Sequence, residues 1–210
     1  MMLDIKDSRL IVISAPSGTG KTTLVKLLLS NIPKCKFSIS HTTRKKRPNE
    51  INGEDYFFIK PEEFNNLVKE DYFAEYAKVF GNWYGTSKKN IQLELDKGNW
   101  VILELDWQGA SQIRASELDC LSIFLLPPSK SHLNNRLYGR STDSEDVIKR
   151  RLDEAASDMK HWEEFDYVVI NDDINKAYDQ VENILCGKGE ENSIFNLVNR
   201  RKIIRIIESE

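Results

Sequence analysis

The chain of 210 residues carries 30 Lys and Arg against 33 Asp and Glu, a formal net charge of −3, and is 40% hydrophobic, 10% aromatic and 30% charged. That balance suits a soluble globule with a substantial core and excludes a disordered chain, a collagen-like repeat and a small disulfide scaffold. Apolar runs such as Leu10–Ile13 and Ile123–Leu126 fall far short of the ~20 residues that span a bilayer, and the mild acidity argues against a general nucleic-acid binder.

The first residues, MMLDIKDSR, contain no apolar export segment, so a cytoplasmic protein is expected. Arg9–Ile13 reads as a fully buried strand. It runs into a turn over Ser14–Gly20 and a helix from about Lys21 to Asn31, stopped before Pro33. Phe37–Ser40, Asp55–Ile59 and Ala74–Phe80 are short β-like pieces interrupted by Gly53, Gly81 and Gly85. This stretch is too long for a loop and predicts a small inserted β-rich subdomain. Trp100–Leu105 is a second buried strand, followed by Asp106 and a helix near Gly109–Ala115. Leu121–Leu126 is a third, ended by Pro127-Pro128. Two charged helical patterns between Ser129 and Trp162 flank a break at Gly139–Ser144. Tyr167–Ile170 is a fourth strand, with a helix from about Asp173 to Leu185 after it. The tail beyond Gly187, ending NRRKIIRIIES, is read as a packed or frayed terminus, with an amphipathic helix or a final strand as alternatives. Buried runs joined by helices predict an α/β fold with a mostly parallel sheet covered on both faces. Cys35, Cys120 and Cys186 have no metal-ligand spacing and are read as reduced structural residues.

Chemistry first appears at Ala15, Pro16, Ser17, Gly18, Thr19, Gly20, Lys21 and Thr22, between the first strand and its helix. Glycines there let main-chain N–H groups turn around phosphate oxygens at a helix N-terminus. Lys21 supplies a charge to the β/γ-phosphates and the Thr22 hydroxyl a ligand for Mg²⁺, so the expected ligand is a nucleoside triphosphate. Ala15 stands where such loops usually begin with glycine. Asp106, at the C-terminal end of a buried strand, reads as a metal carboxylate, as a helix N-cap, or as both. The basic cluster Arg44–Arg47 taken alone is a solvated loop or a nucleic-acid patch. His41, His132 and His161 form no triad or metal set by spacing.

Several segments together resemble the guanylate kinase family, in its bacterial form: APSGTGK, FSISHTTRKKRPNE, GEDYFF, FAEYAKVFGNWYGTS, LDWQGA, FLLPPS, RLYGRSTDSE through IKRRL, and VVINDD. The resemblance covers about residues 9–186. It implies a P-loop three-layer α/β fold over 8–186, with a core of about 8–37, 97–127 and 157–186, a GMP-binding insert of about 38–96, a lid of about 128–156 and a tail over 187–210. By this resemblance Ser40, Arg44, Arg47, Tyr56 and Tyr84 hold the GMP phosphate, Glu75 and Thr86 read guanine, and Glu50 lies near that site. Glu104 replaces an aspartate beside the base, Asn49 a glycine, and Ser141 a lid glycine. Arg136, Arg140 and Arg151 close over the ATP phosphates, joining Lys21 and Arg44 as catalytic cations, and Asn171 lies near adenine. The implied reaction is Mg²⁺-dependent phosphoryl transfer from ATP to GMP, with dGMP a second candidate acceptor and no nucleic-acid or membrane partner. A homo-oligomer is left open. Rival readings are a kinase-like interaction module, a kinase for another phosphate ester and a simple ATPase.

Overall fold

Six residues with five successive buried positions, Arg9–Ser14, form β1. After it come α1 (Lys21–Asn31), β2 (Cys35–Phe37), β3 (His41–Thr42), β4 (Phe57–Phe58), α2 (Pro61–Lys69), β5 (Phe73–Val79) and β6 (Asn82–Ser87). The chain continues through α3 (Lys88–Asp96), β7 (Trp100–Leu105), α4 (Trp107–Ala115), β8 (Cys120–Leu126) and α5 (Lys130–Tyr138). It ends with α6 (Glu145–Asp158), β9 (Tyr167–Ile170), α7 (Ile174–Leu185) and α8 (Leu197–Glu208). The computed structural model describes residues 8–79, 81–138 and 145–208.

Five strands in the order β2-β7-β1-β8-β9 make a sheet in which every pairing is parallel. Alternate side chains of β1 feed opposite faces, as the two-residue strand period requires. Ile11 and Ile13 pack with Leu24 and Leu28 of α1 and Val181 and Ile184 of α7. Leu10 and Val12 pack with Ile91 of α3, Ile113 of α4 and Ile203 of α8. The result is the expected three-layer α/β architecture, with apolar strands that need helices on both sides. Among the described residues no helix is long and apolar enough to cross a membrane.

The structure departs from the sequence reading in particular elements. Residues 35–37, within the range read as core, form the edge strand of the main sheet, Cys35 opposite Trp100, whereas the β-like piece expected over Phe37–Ser40 enters a strand only at Phe37. The sequence reading did not foresee α2, β6 or α3. Helix α3 lies inside the range assigned to the insert, yet Ile91 and Leu95 pack on the core. Helix α4 begins at Trp107, two residues earlier than expected, because the Asp106 side chain caps it through the Gly109 N–H. The terminal segment, by contrast, is a docked helix, one of the forms the sequence left open for it. Asn199 Nδ2 donates to the carbonyls of Val168 and Asn192, each at 3.1 Å.

The smaller sheet runs β4-β3-β6-β5, with β5 and β6 antiparallel across a turn at Gly81. Its core is aromatic: Phe64 of α2 stacks on Phe73 at 4.7 Å, and the buried His41 ring lies 4.8 Å from Phe57. This insert leaves the main sheet after β2 and rejoins it through α3, which brings β5 against α4 beside the C-terminal end of β7.

Candidate functional site

The loop after β1 turns through Gly18 and Gly20, whose φ angles of 87° and 100° are left-handed and favour glycine. Gly20 has a second constraint, since a Cβ there would meet Asn171 Nδ2 at 2.7 Å. Asn171 Nδ2 instead donates to the Thr19 carbonyl at 2.7 Å, tying the loop to the end of β9. Arg136 of α5 joins the same tie, donating to the carbonyls of Thr19 at 3.0 Å and Asn171 at 3.1 Å. Gly18, Gly20, Thr23, Arg136, Asn171 and Ile174 line a cavity of about 270 Å³. Asn171 Oδ1 is buried with no hydrogen-bond partner, the mark of a polar group that a ligand can satisfy.

At the first residue of α1, Lys21 Nζ donates to the Leu105 carbonyl at 2.5 Å, across to the end of β7. Next to it, Thr22 Oγ1 donates to Glu104 Oε1, also at 2.5 Å. Glu104 is paired in register with Ile13 of β1, so its carboxylate lies directly beside the loop. Asp106, just beyond the strand, turns away into the first turn of α4. Its Oδ1 accepts from Gly109 N–H at 2.9 Å, and its Oδ2 from Gln108 Nε2 at 3.2 Å.

The sequence reading gave Asp106 to the metal and Glu104 to the base. In the structure Asp106 takes the helix N-cap place that was also open to it. Glu104 reaches the Thr22 hydroxyl, whereas Asp106 shares the start of α4 with Glu75 and its charge adds to that carboxyl's environment. The reason is positional: Glu104 is still within β7 against β1, while Asp106 is the N-cap of a helix packed on β5.

Glu75 of β5 is 3% exposed. Thr86 Oγ1 donates to Glu75 Oε1 at 2.5 Å and lies 2.9 Å from Ser40 Oγ, so three expected site residues form one buried chain. Burial pushes the Glu75 carboxyl up to about 7, with the Asp106 charge acting in the same direction and the Thr86 hydrogen bonds against it.

A second group sits alongside. Arg44 donates to both oxygens of Glu50, at 3.0 and 2.7 Å, and its guanidinium lies 5.5 Å from the centre of the Tyr56 ring. Tyr56 and Tyr84 are 5.8 Å apart. Hydrogen bonds to Glu50 and Tyr84 raise the Arg44 pKa, and the Arg44 fork holds Glu50 below the usual carboxylate range. Burial and the nearby Glu104 charge push the Tyr56 phenol up to about 12, so it stays a donor. Glu50 also accepts from the Arg47 main-chain N–H at 2.8 Å, while the Arg47 side chain is largely exposed. Glu50 therefore braces the two arginines.

Of the expected lid residues, Arg136 meets the loop, and Arg151 lies half-buried on α6. Arg140 and Ser141 lie outside the described residues. Asp158, the last residue of α6, carried no sequence signal. Burial, Asp106 and Glu154 push its carboxyl up to about 6, while the charges of His161 and Lys21 pull it down. His161 stacks on Trp107 at 3.7 Å and His132 is exposed, so neither joins the site as a ligand.

The oxygen donors Thr22 and Glu104 suit a hard cation. Mg²⁺ commonly keeps several waters and takes one or two carboxylates, so the pair fits it. No group of three or more His, Cys, Asp or Glu side chains suited to a metal occurs among the described residues.

Comparison with known proteins shows the family. The family model described as "Guanylate kinase" matches residues 7–188. A protein named "Guanylate kinase" from Blochmanniella floridana is 49% identical over 84% of this chain and 85% of its own length. One of the same name from Sodalis glossinidius is 50% identical over 84% of this chain and 86% of its own. A solved guanylate kinase from Anaplasma phagocytophilum superposes with a TM-score of 0.71 and 34% identity, covering 88% of this chain and 87% of that one.

Proposed function

The chain belongs to the guanylate kinase family and is an ATP:GMP phosphotransferase, and we propose that the buried chain Ser40–Thr86–Glu75 is its guanine reader. That chain carries the reading, because a buried carboxylate fixed by a hydroxyl is costly unless a ligand uses it. An ionised Glu75 can accept from guanine N1–H and the 2-amino group together, with Asp106 beside it. Adenine offers neither donor. Arg44, Tyr56 and Tyr84 supply the fork and hydroxyls that suit the GMP phosphate, and Ser40 and Arg47 stand beside them.

Lys21 and the main-chain N–H groups of the loop from Ala15 to Thr22 hold the donor phosphates. Asn171 and Arg136 border the remaining cavity, and Asn171 Oδ1 is a buried atom without a partner. Thr22 and Glu104 would hold Mg²⁺, which when bound neutralises charge on the transferring phosphoryl group. The acceptor oxygen is already anionic, so no side chain needs to act as nucleophile or general base. Catalysis by this chain consists of aligning two phosphates and placing Lys21, Arg44 and the lid arginines Arg136, Arg140 and Arg151 around them. Three unpaired cysteines support a reducing, cytoplasmic setting.

The test is ATP consumption with GMP, dGMP, AMP, UMP or water as acceptor. GMP is expected to be used best, dGMP less well, and AMP, UMP and water poorly. Equal use of AMP and GMP would overturn the acceptor assignment.

The raised Glu75 carboxyl sets a pH dependence. kcat/KM reports the free enzyme's ionisations, and a protonated Glu75 loses one of its two acceptors. The rate constant for GMP should therefore rise with pH through about 7 and level above it. The folded carboxyl keeps its proton to higher pH than an unfolded one with the ordinary value of 4.5, so ionising Glu75 costs stability as pH rises from 4.5 to about 7. Glu75→Gln should thus raise the melting temperature more at about pH 8 than at about pH 5. Thermal scans at the two pH values, with pH–rate profiles of both proteins, check the pair of effects.

A further inference from the structure

Glu75 reaches its position because of what α4 lacks at one residue and supplies at another. A Cβ on Gly109 would lie 2.6 Å from Glu75 Oε2, closer than real Cβ contacts come, and a tight 3.3 Å from its Cδ. Gly109 is not among the residues with positive φ, so space rather than backbone conformation calls for the glycine. The helix cannot easily withdraw, since Ala110 and Ile113 are fully buried in the core. A methyl group at 109 would therefore move the Glu75 side chain.

One turn further along α4, Gln112 grips the strand itself. Tyr76 N–H donates to Gln112 Oε1 at 3.0 Å, and Gln112 Nε2 donates to the Tyr76 carbonyl at 2.8 Å. Strand β5 is the edge of its sheet, with β6 on its other side. The Gln112 amide thus makes the two bonds that a further strand would make, at the residue next to Glu75. Thr86 fixes one carboxylate oxygen, Gly109 gives the other its room, and Gln112 fixes the main chain.

We propose that Gly109 and Gln112 are specificity-determining positions, together forming a seat on α4 that holds the Glu75 carboxylate in register with the 2-amino edge of guanine. The inference rests on the base-reading role given to Glu75 above. Neither residue touches the substrate; both act through Glu75 as positioning residues. The seat matters most where both carboxylate oxygens must be placed at once, which is the difference between GMP and IMP. IMP keeps N1–H and lacks the 2-amino group.

The experiment measures kcat/KM for GMP and for IMP, with ATP-analogue binding and circular dichroism as controls, in wild type, Gly109→Ala and Gln112→Ala. Gly109→Ala should lose about tenfold for GMP, the scale of one charge-assisted hydrogen bond, with a much smaller loss for IMP. Gln112→Ala removes an exposed side chain, so it keeps the test open should Gly109→Ala fail to fold. It should raise KM for GMP more than it lowers kcat, and lower the GMP:IMP ratio in the same direction. An unchanged ratio in the folded variants, with the wild type still selective, overturns the α4 seat. A wild type that uses GMP and IMP alike overturns the Glu75 reading itself.

Discussion

Lys21→Ala is expected to leave a folded protein whose turnover of ATP and GMP falls about 10²–10³-fold, the scale of losing one charged donor at the reacting phosphates. Lys21 opens α1, and that helix is anchored by Leu24, Val25 and Leu28, none of which the substitution touches. Alanine is itself a good helix former. The ammonium instead spans the gap to the Leu105 carbonyl at 2.5 Å. A cation held at the junction of two strand ends, with the Thr22–Glu104 pair beside it, is poised for donor phosphates rather than needed for packing. The check is steady-state turnover alongside far-UV circular dichroism. Near-wild-type turnover in a folded Lys21→Ala protein would remove Lys21 from the mechanism.

Glu75→Gln should lower kcat/KM for GMP by about 100-fold, since two hydrogen bonds to a charged acceptor are weakened together. A glutamine presents one acceptor and one NH₂, and the NH₂ opposes a donor on guanine. Thr86 Oγ1 can still donate to the amide oxygen, so the buried chain to Ser40 survives and the fold with it. Binding of an ATP analogue, about the loop after β1, should be unchanged. Discrimination against AMP should shrink at the same time, because sites that reject a ligand by leaving buried polar groups unpaired can reach ~10⁴-fold. Unchanged GMP kinetics would transfer base reading to Asp106, the other carboxylate at the start of α4.

Much of this was legible in the chain itself. The runs in β1, β7, β8 and β9 are apolar on both faces because both faces are covered. The loop glycines and Lys21 follow a buried strand and precede a helix, a local arrangement that sequence spacing records completely. A strand of two residues such as β3 carries no period of its own, and α2 and α3 each bury a single residue, Phe64 and Ile91. Such elements are held by tertiary contacts, α3 by the core itself, so local pattern could not announce them.

Glu104 and Asp106 show where the sequence stops. Two acids two residues apart, in a run that ends in a helix, look interchangeable along the chain. What separates them is that β7 lies beside β1 while α4 lies beside β5. One carboxylate is thereby delivered to Thr22 and the other to the neighbourhood of Glu75. Gly109 and Gln112 are subtler still. The composition of α4 determines that it is a helix with one apolar face, and its N-cap is readable at Asp106. That its glycine must face a carboxylate 34 residues earlier, and its glutamine a strand edge, was decided only when the insert folded back on the core. The physical reason is that backbone and periodicity act between near neighbours in sequence, whereas steric room and buried charge act between neighbours in space.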